Sequence, residues 1–391
     1  MVLCGATFMV MAGQGVVAPV LPLYAAEFGV GATMVGLTLT VFALARLILN
    51  IPAGMAADRF GRRILLVGGP IVTSIGMFGS GLAGDIWTLL AWRFVAGAGS
   101  ALYMSGAMIY LIDIAPPDQR ARYVATNQWA LSVGVALGPG LGGLVAERYG
   151  LHMPFLVVGV GGIATAAYAA VRLPETLHLT QDADFTATDS AGDDLSIASF
   201  VTSRRFLLVA MVSATVFMAR AGTRATLIPL HANRELGWGP GEIGMVFTVT
   251  GLMTLFTLMP AAWASDRLGR RAVIVFSGVV AGIGTVIVGL SDGATLFVMG
   301  NVVMILGTGT AGPAPAAYVA DIAPPRMRGV AVALYRSAGD IGFLAAPPLL
   351  GLLAETVSIP AAMVVSAVLL SGAAVGFAIG SRHDPAAGRR T

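Results

Sequence analysis

The chain of 391 residues contains no lysine; all 23 of its basic residues are arginine. Charged residues of either sign make up only 11% of it, whereas a soluble surface carries about 25–35%. A chain so poor in charge cannot clothe the two or three soluble domains that its length would otherwise suggest. A single cysteine, Cys4, excludes a disulfide framework and a cysteine-based metal centre. The four histidines (His152, His178, His231 and His383) are too scattered to have ligand spacing. The reading is therefore of a protein without metal, cofactor or catalytic residues, and not of an enzyme. A formal charge of +3 would suggest nucleic acid in a soluble protein. Here the arginines lie in short loops between apolar runs, so no nucleic-acid partner is expected.

What the chain has in abundance is apolar sequence, at 57% of residues with a mean hydropathy of +0.84. The runs at 64–84 and 272–291 carry no charge, and about 20 such residues in a helix cross a hydrocarbon core of about 30 Å. Cutting at charged or turn-rich interruptions gives twelve segments: 3–23, 33–54, 64–84, 87–112, 123–146, 153–171, 205–228, 241–263, 272–291, 295–320, 330–354 and 358–380. The first lacks a basic leader region and reads as a membrane helix, not as a cleaved signal. The stretch 173–204 is the only long polar one, and it divides the spans six and six. The expected domains are a bundle at 1–172, a cytoplasmic loop at 173–204, a second bundle at 205–380 and a tail at 381–391.

Arginines favour cytoplasmic loops. Sixteen of the 23 fall on the side that holds both termini and the central loop, two (Arg148 and Arg234) fall on the other, and five lie inside spans. Both termini are therefore expected in the cytoplasm, with the chain as a monomer in a bacterial inner membrane and lipid as its surroundings.

The strongest organisational signal is a repeat with an offset of 208 residues. AADRFGRR (56–63) maps onto ASDRLGRR (264–271), DIAPP (113–117) onto DIAPP (321–325), Gly134 onto Gly342, Pro139 onto Pro347 and Glu147 onto Glu355. One constant offset across such distances means duplication. Duplicated bundles around a shared site are the architecture of secondary transporters. The fold class is accordingly all-α integral membrane, with twelve spans as two pseudo-symmetric six-helix bundles.

These residues resemble the major facilitator superfamily, and within it the 12-spanning drug:proton antiporters. GMAADRFGRR (54–63) is similar to the family's loop after helix 2, LLAWRFVAGAG (89–99) to its helix 4 motif, GVALGPGLGG (134–143) to its helix 5 antiporter motif, and GQGVVAPVLP (13–22) to its helix 1 motif. LPET (173–176) is similar to its exit from helix 6. The resemblance implies a small-molecule substrate exchanged for protons by alternating access. It also implies a cytoplasmic latch formed by Gly54, Asp58, Arg62 and Asp113, repeated by Asp266, Arg270 and Asp321. A symporter or facilitator for metabolite uptake keeps the same fold and loop motif.

Gly134, Gly138 and Gly142 form a small-xxx-small stripe that lets helices touch through their backbones. Pro139, with Gly143 beside the stripe, frees a carbonyl that a neighbour must satisfy. GTGTAG (307–312) matches a dinucleotide fingerprint in letters only, since it lies inside a span and runs into Pro313 and Pro315.

Residues that match between the halves are scaffold, whereas charges present in one half only are candidates for function. Arg93 maps onto Asn301, Arg220 onto Ala12, Arg336 onto Gln128, Asp340 onto Ser132 and Arg46 onto Thr254. An ionisable group at mid-membrane costs about 2.5–3.5 kcal/mol on insertion scales. Asp340, the only acid deep in a span, can carry a proton, with Arg336 one turn away and Arg93 as further coupling candidates. Arg220, Gln14 and Asn301 are candidates for the substrate cavity. Arg46, Arg93 and Arg224 read as edge residues. Arg220 and Arg336 still outnumber Asp340, which favours anionic, zwitterionic or neutral polar compounds over lipophilic cations.

Overall fold

The computed structural model describes residues 2–116, 119–176, 199–310, 313–324 and 327–382. Seven helices form the first half: α1 (Val2–Val17), α2 (Leu21–Glu27), α3 (Ala32–Phe60), α4 (Arg62–Gly81), α5 (Ile86–Ile114), α6 (Arg120–Tyr149) and α7 (Met153–Arg172). The second half opens with α8 (Arg204–Met218), which runs through a π-helical segment at Ala219–Leu227 into α9 (Ile228–Leu236). It continues with α10 (Pro240–Leu268), α11 (Arg270–Gly289), α12 (Ala294–Thr310), α13 (Pro313–Ile322), α14 (Arg328–Thr356) and α15 (Ile359–Gly380). Ten helices are long and apolar enough to cross a membrane. Two bent pairs, α1 with α2 at 44° and the two parts of α10 at 40°, complete twelve spans.

The helix ends follow from local chemistry. The first expected span breaks after Val17 because Pro19 and Pro22 remove two backbone donors and crowd the carbonyls four residues earlier. Asp85 starts α5 by accepting from the amides of Trp87 (2.8 Å) and Thr88 (3.0 Å) and from the Thr88 hydroxyl (2.6 Å). Those bonds, the Thr88 hydroxyl first, hold its carboxyl below the usual carboxylate range. Gly61 and Gly269 stop α3 and α10 at φ of +96° and +90°, a conformation that costs glycine little.

The 208-residue offset is visible in the elements themselves. It carries α3 onto α10 and α4 onto α11 residue for residue, and the left-handed Gly29 (+70°) onto Gly237 (+65°). Helix contacts repeat as well. A Cβ on Gly76 would meet the Ala96 backbone at 2.7 Å, and one on Gly284 would meet Met304 Cα, the offset equivalent, at 2.5 Å.

The first compact unit comprises α1–α7 together with residues 237–252, and the second comprises the remaining helices. Residues 237–252, which chain order assigns to the second bundle, pack with the first unit because glycines admit them. Cβ atoms on Gly143 and Gly244 would each collide with the backbone of the other helix, and the Gly140 amide donates to Thr248 Oγ1 at 2.7 Å. In the first unit Thr7 and Tyr103 share a buried hydroxyl bond of 2.9 Å among Leu3, Leu66, Tyr110 and Ala169. Such a membrane hydrogen bond is worth about 0.6 kcal/mol. The second unit centres on Phe206, Val209, Tyr318 and Phe377, the last two rings meeting edge to face at 4.9 Å.

The glycine stripe of α6 lies against α1. A Cβ on Gly138 would sit 2.5 Å from the Ala12 carbonyl oxygen and 2.6 Å from Gly15 Cα; Gly134 abuts Phe8 and Ala12, and Gly142 abuts Val16. The stripe is thus a seam within the first unit, and Pro139, Gly140 and Gly143 meet α10 from another side of the same helix. Gly138→Val is expected to destabilise the protein by about 1–3 kcal/mol through overpacking, read as a lower Tm in detergent. Gly372→Val, at a glycine with open space around it, should leave Tm unchanged.

Candidate functional site

At the end of the first unit where α3 turns into α4, four carboxylates and hydroxyls converge on one arginine and one helix terminus. Arg62 donates through Nε to Asp113 Oδ2 at 2.9 Å and through Nη1 to the Ala57 carbonyl at 3.1 Å. Its other terminal nitrogen lies 3.4 Å from Asp58 Oδ1. The Arg62 and Asp113 side chains are 5% and 2% exposed, whereas Asp58 is 72% exposed. Thr176 donates its hydroxyl to the same Asp113 oxygen at 2.9 Å.

Glu175 completes the network. Its carboxylate accepts from the backbone amides of Arg62 (2.9 Å) and Arg63 (3.1 Å), where α4 begins and the helix dipole favours an anion. It occupies the space that a Cβ on Gly61 would need. The segment leaving α7 is thereby fastened to the α3–α4 turn. LPET stands out in the sequence, yet nothing there gives Glu175 and Thr176 a role, because their partners lie 63–113 residues away and are partly backbone amides.

The second unit carries a looser copy. Arg270 Nε is 3.5 Å from Asp321 Oδ2, and Nη1 donates to Ser265 Oγ at 2.8 Å, the offset equivalent of the Ala57 contact. The side chain of Asp266 lies outside the described residues, as does His383, the offset equivalent of Glu175. Among the described residues, a Cβ on Gly54 would meet no atom within 4 Å.

The one-sided charges separate into two groups. Arg93 is 4% exposed; its guanidinium stacks 4.6 Å from the Phe42 ring, its Nε makes a long contact of 3.5 Å to the Thr38 carbonyl, and its Nη1 has no partner. It is a buried residue and not a snorkelling one. Asn301 is 2% exposed and its amide donates to the Phe297 carbonyl of its own helix at 2.9 Å. Gln14 donates to Ser100 Oγ at 3.1 Å.

The other group lies in the second unit. Arg220, Arg336 and Asp340 are all exposed although the chain places them well inside spans. Arg336 takes part in no ion pair among the described residues. Arg220 and Arg224 belong to the π-helical segment 219–227, which hydrophobic periodicity does not announce. Arg224 follows Arg220 by one helical turn within this segment. Tyr335 interacts with both Arg220 and Arg336.

The sequence pattern of the Major Facilitator Superfamily matches residues 3–223 and 209–391. The chain belongs to the major facilitator superfamily. It is a multi-pass membrane transporter of that family. It is 24% identical over 358 residues to an uncharacterized MFS-type transporter of Methanocaldococcus jannaschii, covering 90% of each chain. It is likewise 24% identical over 347 residues to the quinolone resistance protein NorA of Staphylococcus aureus, covering 88% of this chain and 87% of that one. In structure it is similar to a bacterial homologue of the human lysosomal transporter Spinster, with a TM-score of 0.82 at 17% identity over 97% of this chain and 96% of that one.

The burial pattern ranks the superfamily loop residues. Asp113→Ala should cost about 3–5 kcal/mol, because it removes the buried partner of the buried Arg62 and leaves only the exposed Asp58 carboxylate opposite it. Asp58→Ala, removing an exposed pair, should cost about 0–1 kcal/mol. Thermal unfolding of the two variants in the same detergent checks the contrast.

Proposed function

We propose that this transporter exports small organic compounds in exchange for protons, by alternating access, as a monomer in a bacterial cytoplasmic membrane. Residues 1–172 and 205–380 are the two working bundles, 173–204 their cytoplasmic connection and 381–391 a cytoplasmic tail. The observation that carries this reading is the set of exposed, one-sided charges in the second unit, Arg220, Arg336 and Asp340, inside an otherwise duplicated apolar scaffold. Scaffold needs no such groups, and each is costly in a membrane. The glycine-packed α6 supports export, as does the similarity to a protein named for quinolone resistance.

In this reading Asp340 alternates between protonated and charged forms. Water access stabilises the carboxylate, and a desolvated state favours the acid. Arg336 and Arg93 bias that balance as neighbouring or buried positive charges. Asp58, Arg62 and Asp113, with Asp266, Arg270 and Asp321, act as the latch that biases one access state over the other, and Glu175 extends it. Arg220, Gln14 and Asn301 are the substrate-cavity candidates of this reading.

Proteoliposomes with an imposed pH gradient test the proposal against a compound panel. Asp340→Asn, a permanent mimic of the protonated acid, is expected to abolish the response to the gradient and to keep exchange flux. Uphill transport by Asp340→Asn would move coupling elsewhere, to Asp113 or Asp321 first. Uptake coupled to inward proton flow would replace export with symport.

A further inference from the structure

We infer that the π-helical segment of the second unit is a binding site for organic anions, with Arg220 and Arg224 as paired ligands for a carboxylate, sulfonate or phosphate group. The inference rests on the transport reading above and names the substrate class for it.

The segment is anchored on its far side by neutral contacts. Thr223 Oγ1 and Ser366 Oγ share a buried hydrogen bond of 2.7 Å, and Gly222 is pressed against α14, where a Cβ would come within 2.6 Å of Leu350 Cδ1. The i→i−5 pattern is explicit where the Ile228 amide reaches the Thr223 carbonyl. Segments of this kind concentrate at functional sites because they re-aim side chains that an α-helix would hold elsewhere. Here the side chains re-aimed are two arginines one turn apart.

Placing two like charges one turn apart inside a span is unfavourable in itself, since their repulsion grows as the effective dielectric falls. Arg220 makes no ion pair among the described residues. Its guanidinium rests 5.4 Å from the Phe217 ring centroid, a cation–π contact that holds it without neutralising it. It lies fifteen residues past Arg205, about 20 Å along the helix. An arginine exposed at that depth faces water, because facing lipid there is prohibitive.

The neighbours fit an anion. Ser213 Oγ donates to the Tyr335 carbonyl at 3.2 Å and Gly339 packs on Phe217, which fixes α14 beside the segment. Tyr335 and Arg336 of that helix add a phenol and a further cation to the same part of the second unit. In sequence, Arg220, Arg224 and Arg336 outnumber the one aspartate of these spans, Asp340. Phe217 supplies an apolar face for the rest of an amphipathic anion. The offset equivalents of the three arginines are Ala12, Val16 and Gln128, so none of this is duplicated scaffold.

Thermal stabilisation and binding measured on the purified full-length protein in detergent test the site without requiring transport. The probes are carboxyfluorescein, an aryl sulfonate and an aryl phosphate as anions, with tetramethylrhodamine ethyl ester as the cation. Wild type should bind at least one anion and gain Tm from it. Arg220→Gln and Arg224→Gln should each weaken that binding about tenfold, the worth of one charge-assisted hydrogen bond, and the double variant should abolish it. Arg220→Lys should bind the anion more tightly than Arg220→Gln, and none of these variants should weaken binding of the cation. Ligand-free Arg220→Gln should unfold no earlier than wild type, since it loses no ion pair. Anion binding unchanged in the double variant, no anion bound by wild type, or a large fall in Tm of ligand-free Arg220→Gln would each overturn the site. Anion binding that depends on both arginines, in a protein that moves nothing across vesicles, would instead overturn the transport reading and leave the site standing.

Discussion

Helices in a bilayer gain nothing by hiding apolar side chains from lipid, which is as apolar as they are. Their association rests on how closely backbones can approach. In this chain that approach is made by glycine: Gly138 and Gly142 of α6 on α1, Gly76 of α4 on α5, and Gly284 and Gly307 between α11 and α12. Everything else depends on these seams. With 51 glycines among 391 residues, the chain has enough of them to build tight contacts in both units and leave many facing open space. The cost in helix propensity, about 1 kcal/mol per glycine relative to alanine in water, matters less where the backbone cannot exchange its hydrogen bonds for solvent.

The second constraint is charge. The arginines of the α3–α4 and α10–α11 turns could serve topology alone, yet Arg62 is buried and bonded to Asp113 while Glu175 caps the helix it begins. A buried pair is weak evidence for stability but a strong device for fixing one arrangement, because breaking it exposes an uncompensated charge. The two copies differ in tightness, 2.9 Å against 3.5 Å between Arg and Asp, and in burial. Duplication therefore preserved the pattern and let the strength of each turn diverge.

Much of this is legible in the sequence, for reasons that are physical. Span number and order follow from apolar run length. The 208-residue offset predicts that α3 and α4 recur as α10 and α11, and they do to the residue. Glycines at φ above +60° recur with it. What the sequence hides falls into two kinds. Glu175 binds amides that any residue would supply, so no side-chain pattern reveals it. The π-helical segment shifts hydrogen bonding by one residue without altering which residues are apolar, so periodicity does not reveal it.

Because duplication gives both halves the same scaffold, a difference between offset positions records a separate demand. Pro139-Gly140 becomes Pro347-Pro348. In the first unit the Gly140 amide, released by the irregularity at the proline, is bonded to Thr248 of α10. Pro348 has no amide hydrogen, so the corresponding bond to Thr40 cannot form. The helix-to-helix hydrogen bond that α6 makes is therefore closed to α14. The mid-span charges have the same one-sided character: Arg220, Arg224, Arg336 and Asp340 have neutral equivalents in the first half. A carrier built from two equal halves has no preferred direction or ligand. In this chain the symmetry is broken at a few residues that cost stability, which is where selectivity and direction have to be encoded.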